Sequence, residues 1–264
     1  MHHQTTVAAL AGALVLSAFV LPGAAQADEV SGNIKITKVV VNGGKDIVLG
    51  TTDVKTFTIA VTATDDSGIE VGRTYPIMWH GPIHKPSGDP YGLVLPDDIR
   101  GKCVNQSRTT TTCTYTFTMN PRIEPQDNTT AGTWTVSAYA LANDGDYISK
   151  DSATKARVLR NSKLTANASP EPVHKNKTIT VTGALTRANW ETYTYGGYTK
   201  QPVTLQFKKK GTSTYTTLKT VTTDSKGNLK TTTKATADGS FRYSFAGTST
   251  TPAVFSTADY IDVK

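Results

Sequence analysis

Along most of the chain, apolar residues fall at every second position. In KTFTIAVTATDDSG (55–68), Phe57, Ile59, Val61 and Ala63 share one face, Thr58 and Thr62 share the other, and the run stops at Asp65-Asp66-Ser67-Gly68. A period of two describes a strand with one dry and one wet face, and the closing tetrad is a turn composition. The same pattern aligns Tyr75, Ile77 and Trp79; Cys113, Tyr115, Phe117 and Met119; and Trp134, Val136, Ala138 and Ala140, the last run turning at Asn143-Asp144-Gly145. Further on it aligns Ile179, Val181 and Leu185, then Val203, Leu205 and Phe207, and finally Phe241, Tyr243 and Phe245. In TYTTLKTVTT (214–223) alternation fails, since Leu218 and Val221 fall on opposite faces, which predicts an edge strand. TTDSKGNLK (222–230) predicts a hairpin turn around Gly227. Helical periodicity is hardly present. Short strands at turn spacings of about 8–15 residues predict an all-β chain of two-layer antiparallel sandwiches.

The beginning of the chain has a different character. Val7–Leu21 is almost unbroken apolar sequence, followed by Pro22-Gly23 and Ala25-Gln26-Ala27. This predicts a secretory signal peptide over 1–27, cut after Ala27. The run is shorter than the ~20 residues of a membrane span, and no later stretch is long and apolar enough to span. The expectation is a secreted, extracellular protein. Residues 28–264 suit two modules, 28–161 and 162–264. The join, VLRNSKLTANASPEPV, has no Gly/Ser run and predicts a short, stiff tandem. Cys103 and Cys113 are the only cysteines. In an oxidising compartment they would bridge across a polar, turn-prone segment and staple a hairpin.

Charge separates the two modules. Residues 162–264 hold 14 Lys+Arg against 6 Asp+Glu, a net +8, whereas 28–161 hold 14 against 15, a net −1. The basic rear module points to an anionic neighbour, such as a wall polymer or acidic surface, or to solubility alone.

At this point the residues carry a resemblance. KLTANASPEPVHKNKTITVTGALTRANW and the stretch from GGYTKQPVTLQFKKK to TSTTPAV resemble the rear module of a family of small secreted actinobacterial proteins. KITKVVVNGGKDIVLGTT, VTATDDSGI and AGTWTVSAYALANDGDYISKD resemble its front module. The resemblance implies two tandem bacterial immunoglobulin-like β-sandwiches in the extracellular space. It implies no established activity, although some members are labelled calcium-binding. The chain departs from antibody-type domains, because its two cysteines lie close together and neither Trp79 nor Trp134 sits between them.

Candidate chemistry is sparse. There is no G-x-S-x-G elbow, H-E-x-x-H pair or phosphate-binding loop, and the expectation is a non-enzyme. His80 and His84 have the spacing of helical metal ligands, but Gly81-Pro82 between them opposes a helix and a zinc site needs more ligands. Loop carboxylates suit calcium: Asp144, Asp146 and Asp151 beside Asn143, with Asp65 and Asp66 in an earlier turn. Ile148 and the missing sixth-position Gly break the EF-hand pattern, and Asn-Asp-Gly is also ordinary hairpin chemistry. NWETYTYGGY (189–198) groups Trp190, Tyr193, Tyr195 and Tyr198 in a chain that is 8% aromatic. It reads as a loop at one end of the rear sandwich. Its rings would stack on sugars, with Lys208, Lys209 and Lys210 holding an anionic polymer nearby, or fold back to plug that sandwich, with Gly196-Gly197 allowing a tight turn, or face solvent or a partner. Nucleic acid is a weaker partner for the basic half, since no reading module is present. Three readings compete. The first is a non-enzymatic protein that contacts a surface or wall polymer or an extracellular protein. The second is a hydrolase inhibitor using HGPIHKPSGDPYG (80–92) as a protruding contact. The third is an unrecognised hydrolase, against which stands the want of a nucleophile–base pair.

Overall fold

The structure, a computed structural model, describes residues 28–81, 92–125 and 127–264. The expected leader lies outside them, as does most of the 80–92 segment, including His84. No helix among the described residues is long and apolar enough to cross a membrane.

The chain builds two sandwiches. In the front one, Lys35–Val41, Lys55–Thr64, Thr110–Met119 and Lys102–Asn105 form one antiparallel sheet in that spatial order. The facing sheet runs Glu29–Ser31, Tyr147–Arg160, Gly132–Leu141, Tyr75–Trp79, Leu93–Val94. Ile47–Leu49 adds a parallel pairing to the far end of Tyr147–Arg160. Phe57, Ile59, Tyr115 and Phe117 of the first sheet pack against Met78, Trp134, Val136 and Val158 of the second in one continuous core. A second apolar cluster, with Ile34, Val61, Ala140 and Ile148, fills the other end. Each large side chain buried in this way contributes about 1.5–3 kcal/mol.

The rear sandwich repeats the plan. Ser162–Leu164, Asn167–Ser169, Thr194–Gly197 and Asn228–Lys234 all pair with the long strand Thr178–Asn189. Opposite lie Thr216–Thr222, Pro202–Lys209 and Gly239–Phe245, with Val254–Phe255 and Asp259–Ile261 on the last. Ile179, Val181, Leu185 and Leu229 meet Val203, Leu205, Phe241, Tyr243 and Phe245 between the sheets. The Tyr243 hydroxyl crosses the core to donate to the Val181 carbonyl at 3.0 Å, and burial pushes its pKa up to about 12. Thr216–Thr222 is an edge strand, as its broken alternation predicts. Both bodies are two-layer β-sandwiches of mostly antiparallel strands. Cys103 and Cys113 are directly opposed on neighbouring strands and form a disulfide within one sheet, not between the two.

The wet faces explain the threonines. Thr62 and Thr112 face each other across two strands with hydroxyls 2.9 Å apart, and Thr64 and Thr110 do the same at 3.1 Å. Such pairs knit a solvated sheet surface where apolar side chains would be wasted.

Three local expectations are corrected. In Tyr75–Trp79 the residues facing the core are Pro76 and Met78, and Tyr75 and Ile77 face outward. The run is apolar on both faces, so periodicity could not fix its parity. The turn around Gly227 is not a hairpin. Its flanking strands belong to opposite sheets, and Asp224 accepts from the Lys226 and Asn228 amides to bend the chain across. Residues 189–198 are not a loop but the end of a β-hairpin, with Ala188↔Tyr195 and Asn189↔Thr194 paired.

Two buried hydroxyls, those of Thr74 and Tyr115, are left over among the described residues. Tyr115 is fully buried and its OH has no partner among the described residues; burial, reinforced by Asp98, raises its pKa to about 12. An unpaired polar atom in a core costs about 1–3 kcal/mol. Tyr115→Phe is therefore expected to raise the melting temperature by a few degrees in a thermal unfolding scan, the reverse of the usual core substitution.

Candidate functional site

Only Asn161 separates Tyr147–Arg160 from Ser162–Leu164, and the expected aromatic site lies at this junction. Trp190 is 0% exposed and belongs to the core of the front sandwich, with Ala188 beside it. Its indole N–H donates to the Gly50 carbonyl at 3.0 Å and its backbone N–H to Asn128 Oδ1 at 3.0 Å. Asn128 in turn donates to Asn189 Oδ1. The tip of the rear hairpin thus plugs the front body, not its own. Tyr195 packs partly against the same front core, and its hydroxyl accepts from Asn161 Nδ2. Tyr198 turns the other way, meeting Phe245 edge-on at 5.7 Å with Arg187 stacked over its face at 3.9 Å. Of the four rings only Tyr193 is well exposed, at 38%, and Arg122 sits over it at 5.6 Å. A sugar-stacking platform made of all four does not exist.

Two arginines complete the junction. Arg160 is buried, and its Nε donates to the Ala188 carbonyl at 2.6 Å. Burial, with Arg187 close by, pulls its pKa down to about 10. Burial lowers Arg187 in the same way.

The lysine run is elsewhere. Lys208 and Lys209 pair with Ser240 and Gly239, at the start of Gly239–Phe245, whereas Tyr198 contacts Phe245 at its end. The run and the aromatic hairpin therefore occupy opposite ends of the rear sandwich. Three consecutive residues on a strand cannot share a face, and these three diverge. Lys210 pairs with Asp238 at 3.3 Å, which raises its pKa. Lys208 stays on the outer face, 5.1 Å from the Tyr215 ring.

That outer face holds a group absent from the sequence expectations. The Arg242 guanidinium lies between two rings, 3.7 Å from Tyr215 and 4.0 Å from Phe255. Its Nε donates to Gln206 Oε1 at 2.9 Å, and its Nη groups have no acceptor among the described residues. Phe255 is 56% exposed and Tyr260 38%. Register places Tyr260 opposite Ser240 and Ser240 opposite Lys208, so all of these share one surface. In the sequence they span residues 208–260, and only strand order unites them.

The front sandwich has its own exposed ring row. Tyr75 stacks on Tyr139 at 5.3 Å, and Tyr139 on Tyr147 at 6.3 Å. Tyr75 and Tyr139 edge a groove of about 300 Å³ that Ile77, Trp79, Leu93 and Asp151 also line. Asp151 is thereby removed from the expected metal set. The carboxylates that do converge are Asp65, Asp144 and Asp146, within 4.8 Å of one another.

Residues 50–140 match the model of a family of unknown function, DUF5707. A search of curated proteins returns no match. Among solved structures, the chain is similar to a chimeric titin Z1Z2 carrying an exogenous decorin peptide, at 11% identity and a TM-score of 0.26 over 90% of this chain and 98% of that one. It is also similar to the Escherichia coli adhesin FdeC, at 15% and 0.32 over 89% and 66%, and to the D00-D0 domain of intimin, at 14% and 0.27 over 85% and 99%. At these scores the likeness is remote.

Proposed function

We propose that the chain is a secreted, non-enzymatic binding protein whose rear sandwich holds an anionic extracellular polymer on its outer face. The observation that carries this reading is Arg242, fixed between Tyr215 and Phe255 with its Nη groups unspent. A stacked guanidinium loses little freedom on binding and presents a planar fork to carboxylate or phosphate. Lys208 beside it, the exposed Phe255 and Tyr260 rings, and the +8 charge of residues 162–264 supply long-range attraction and contact area. The apolar leader and the disulfide support an oxidising, extracellular setting. The tight junction supports a spacer role for the front body, which would hold the binding face at a set angle.

The test uses soluble polygalacturonate and poly(glycerol phosphate) with the full chain lacking the leader, titrated in 50 and 300 mM NaCl. Binding is expected in low salt and should fall at least tenfold in high salt, since exposed charge pairs are screened. Arg242→Ala is expected to weaken it about tenfold or more, the worth of a charge-assisted pair. Lys230→Ala, on the opposite sheet, should leave it unchanged. No binding to either polymer in low salt, or equal affinity for Arg242→Ala, would sink the reading.

A further inference from the structure

We infer that Asp65, Asp144 and Asp146 form a calcium site that ties together three loops at the end of the front sandwich. The three carboxylates come from distant parts of the sequence: the end of Lys55–Thr64, and the turn between Gly132–Leu141 and Tyr147–Arg160. Backbone pairing docks the two turns. Asn143 N–H donates to the Gly68 carbonyl at 3.1 Å, Asn143 Nδ2 to the Ser67 carbonyl at 2.9 Å, and Asp144 N–H to Ser67 Oγ at 3.3 Å. The third loop enters through Asn33, whose N–H donates to Asp146 Oδ2 at 2.7 Å. Gly32 next to it has φ +80°, and any Cβ there would overlap the Asp146 carboxylate.

Convergence of acids alone would mean little. The decisive atom is Asp65 Oδ2. Asp65 is only 3% exposed, its Oδ1 accepts from the Ser67 N–H at 2.8 Å and Ser67 Oγ at 2.6 Å, and its Oδ2 is buried with no hydrogen-bond partner among the described residues. A buried, half-satisfied carboxylate is costly, and two more carboxylates within 4.8 Å add repulsion. None of the three makes an ion pair among the described residues, although Lys35 lines a depression beside Asp65. The other two acids follow the same plan. Asp144 Oδ1 accepts from the Asp146 N–H at 3.1 Å, and Asp146 Oδ2 accepts from Asn33. Among the described residues the hydrogen bonds reach each carboxylate through one oxygen: Oδ1 of Asp65, Oδ1 of Asp144 and Oδ2 of Asp146. Oxygen donors on loops, three negative charges and an open solvent side fit a hard divalent cation that takes six to eight oxygens in a flexible shell. Calcium meets that description, whereas magnesium demands stricter geometry and holds its water.

The full chain lacking the leader, stripped with EDTA, is heated with and without 1 mM CaCl2 and titrated with CaCl2 by calorimetry. The expected results are one calcium per chain and a melting temperature raised by about 5 °C. Asp65→Asn keeps the Oδ1 acceptor for Ser67 and removes the charge. In EDTA it should melt no lower than the parent, and it should lose the calcium shift. Asp144→Asn, at an exposed position, should lose it too. An unchanged melting temperature with no binding heat would overturn the site, as would a full calcium shift in both variants. An equal shift with 1 mM MgCl2 would overturn the choice of calcium.

Discussion

Trp190→Ala is expected to destabilise the front sandwich by about 3–5 kcal/mol, although residue 190 sits 30 positions after that sandwich's last strand ends at Arg160. The indole is fully buried, lies within the cluster that holds Phe57, Phe117 and Trp134, and donates to the Gly50 carbonyl. Its removal opens a cavity in the front core and leaves that carbonyl without its donor. For a chain of this size the loss corresponds to a fall of about 10 °C in the front-body melting transition, read by scanning calorimetry. Trp190→Phe should recover part of it, because it keeps most of the volume and loses the N–H. A melting curve for Trp190→Ala that coincides with the parent would show that the hairpin tip does not complete the front core. Polymer binding at the Arg242 face should be unaffected, since that face lies on the rear sandwich's other sheet.

Gly197→Ala is expected to cost about 3 kcal/mol, at the upper end for overpacking, because the obstacle is backbone and cannot rotate away. A Cβ on Gly197 would overlap the Lys226 carbonyl, and Gly227 packs against the Gly197 Cα from the other side at a φ of +84°. The hairpin strand Thr194–Gly197 and the crossing turn at Asp224–Asn228 approach so closely that neither can carry a side chain. Gly196 has nothing within 4 Å of its missing Cβ, so Gly196→Ala should melt within about 1 °C of the parent. The adjacent pair therefore tests close approach directly in thermal scans. Equal melting for the two variants would contradict the packing. The sequence expectation gave both glycines to a tight turn, but only close approach requires one, and it requires only the second.

The sandwich fold was legible because alternation is strict where it matters. Phe57, Ile59, Val61 and Ala63, and later Phe241, Tyr243 and Phe245, are buried as their spacing demands. Parity failed at Tyr75–Trp79, where both faces are apolar because the outer one stacks Tyr75 on Tyr139. The sites were harder to see. Asp151 was grouped with Asp144 and Asp146 because it is near in sequence, but the strand carries it onto the outer face beside Tyr139. The partner they meet, Asp65, is about 80 residues away. Lys208–Lys210 looked like one patch, yet a strand sends neighbours to opposite sides, and the cation held between rings is Arg242. Trp190 was visible as an aromatic, but nothing in NWETYTYGGY says which body receives it. That depends on the single residue, Asn161, joining the two.

A chain assembled this way carries the last piece of its front core late in its sequence. The front sheets are complete in sequence at Arg160, but the ring that fills their centre comes at residue 190. Stopping the chain at Asn161 would yield a body with a hole where an indole belongs. The front body therefore borrows part of its core from the rear one, and swapping the rear half for a homologous module would have to supply that missing ring.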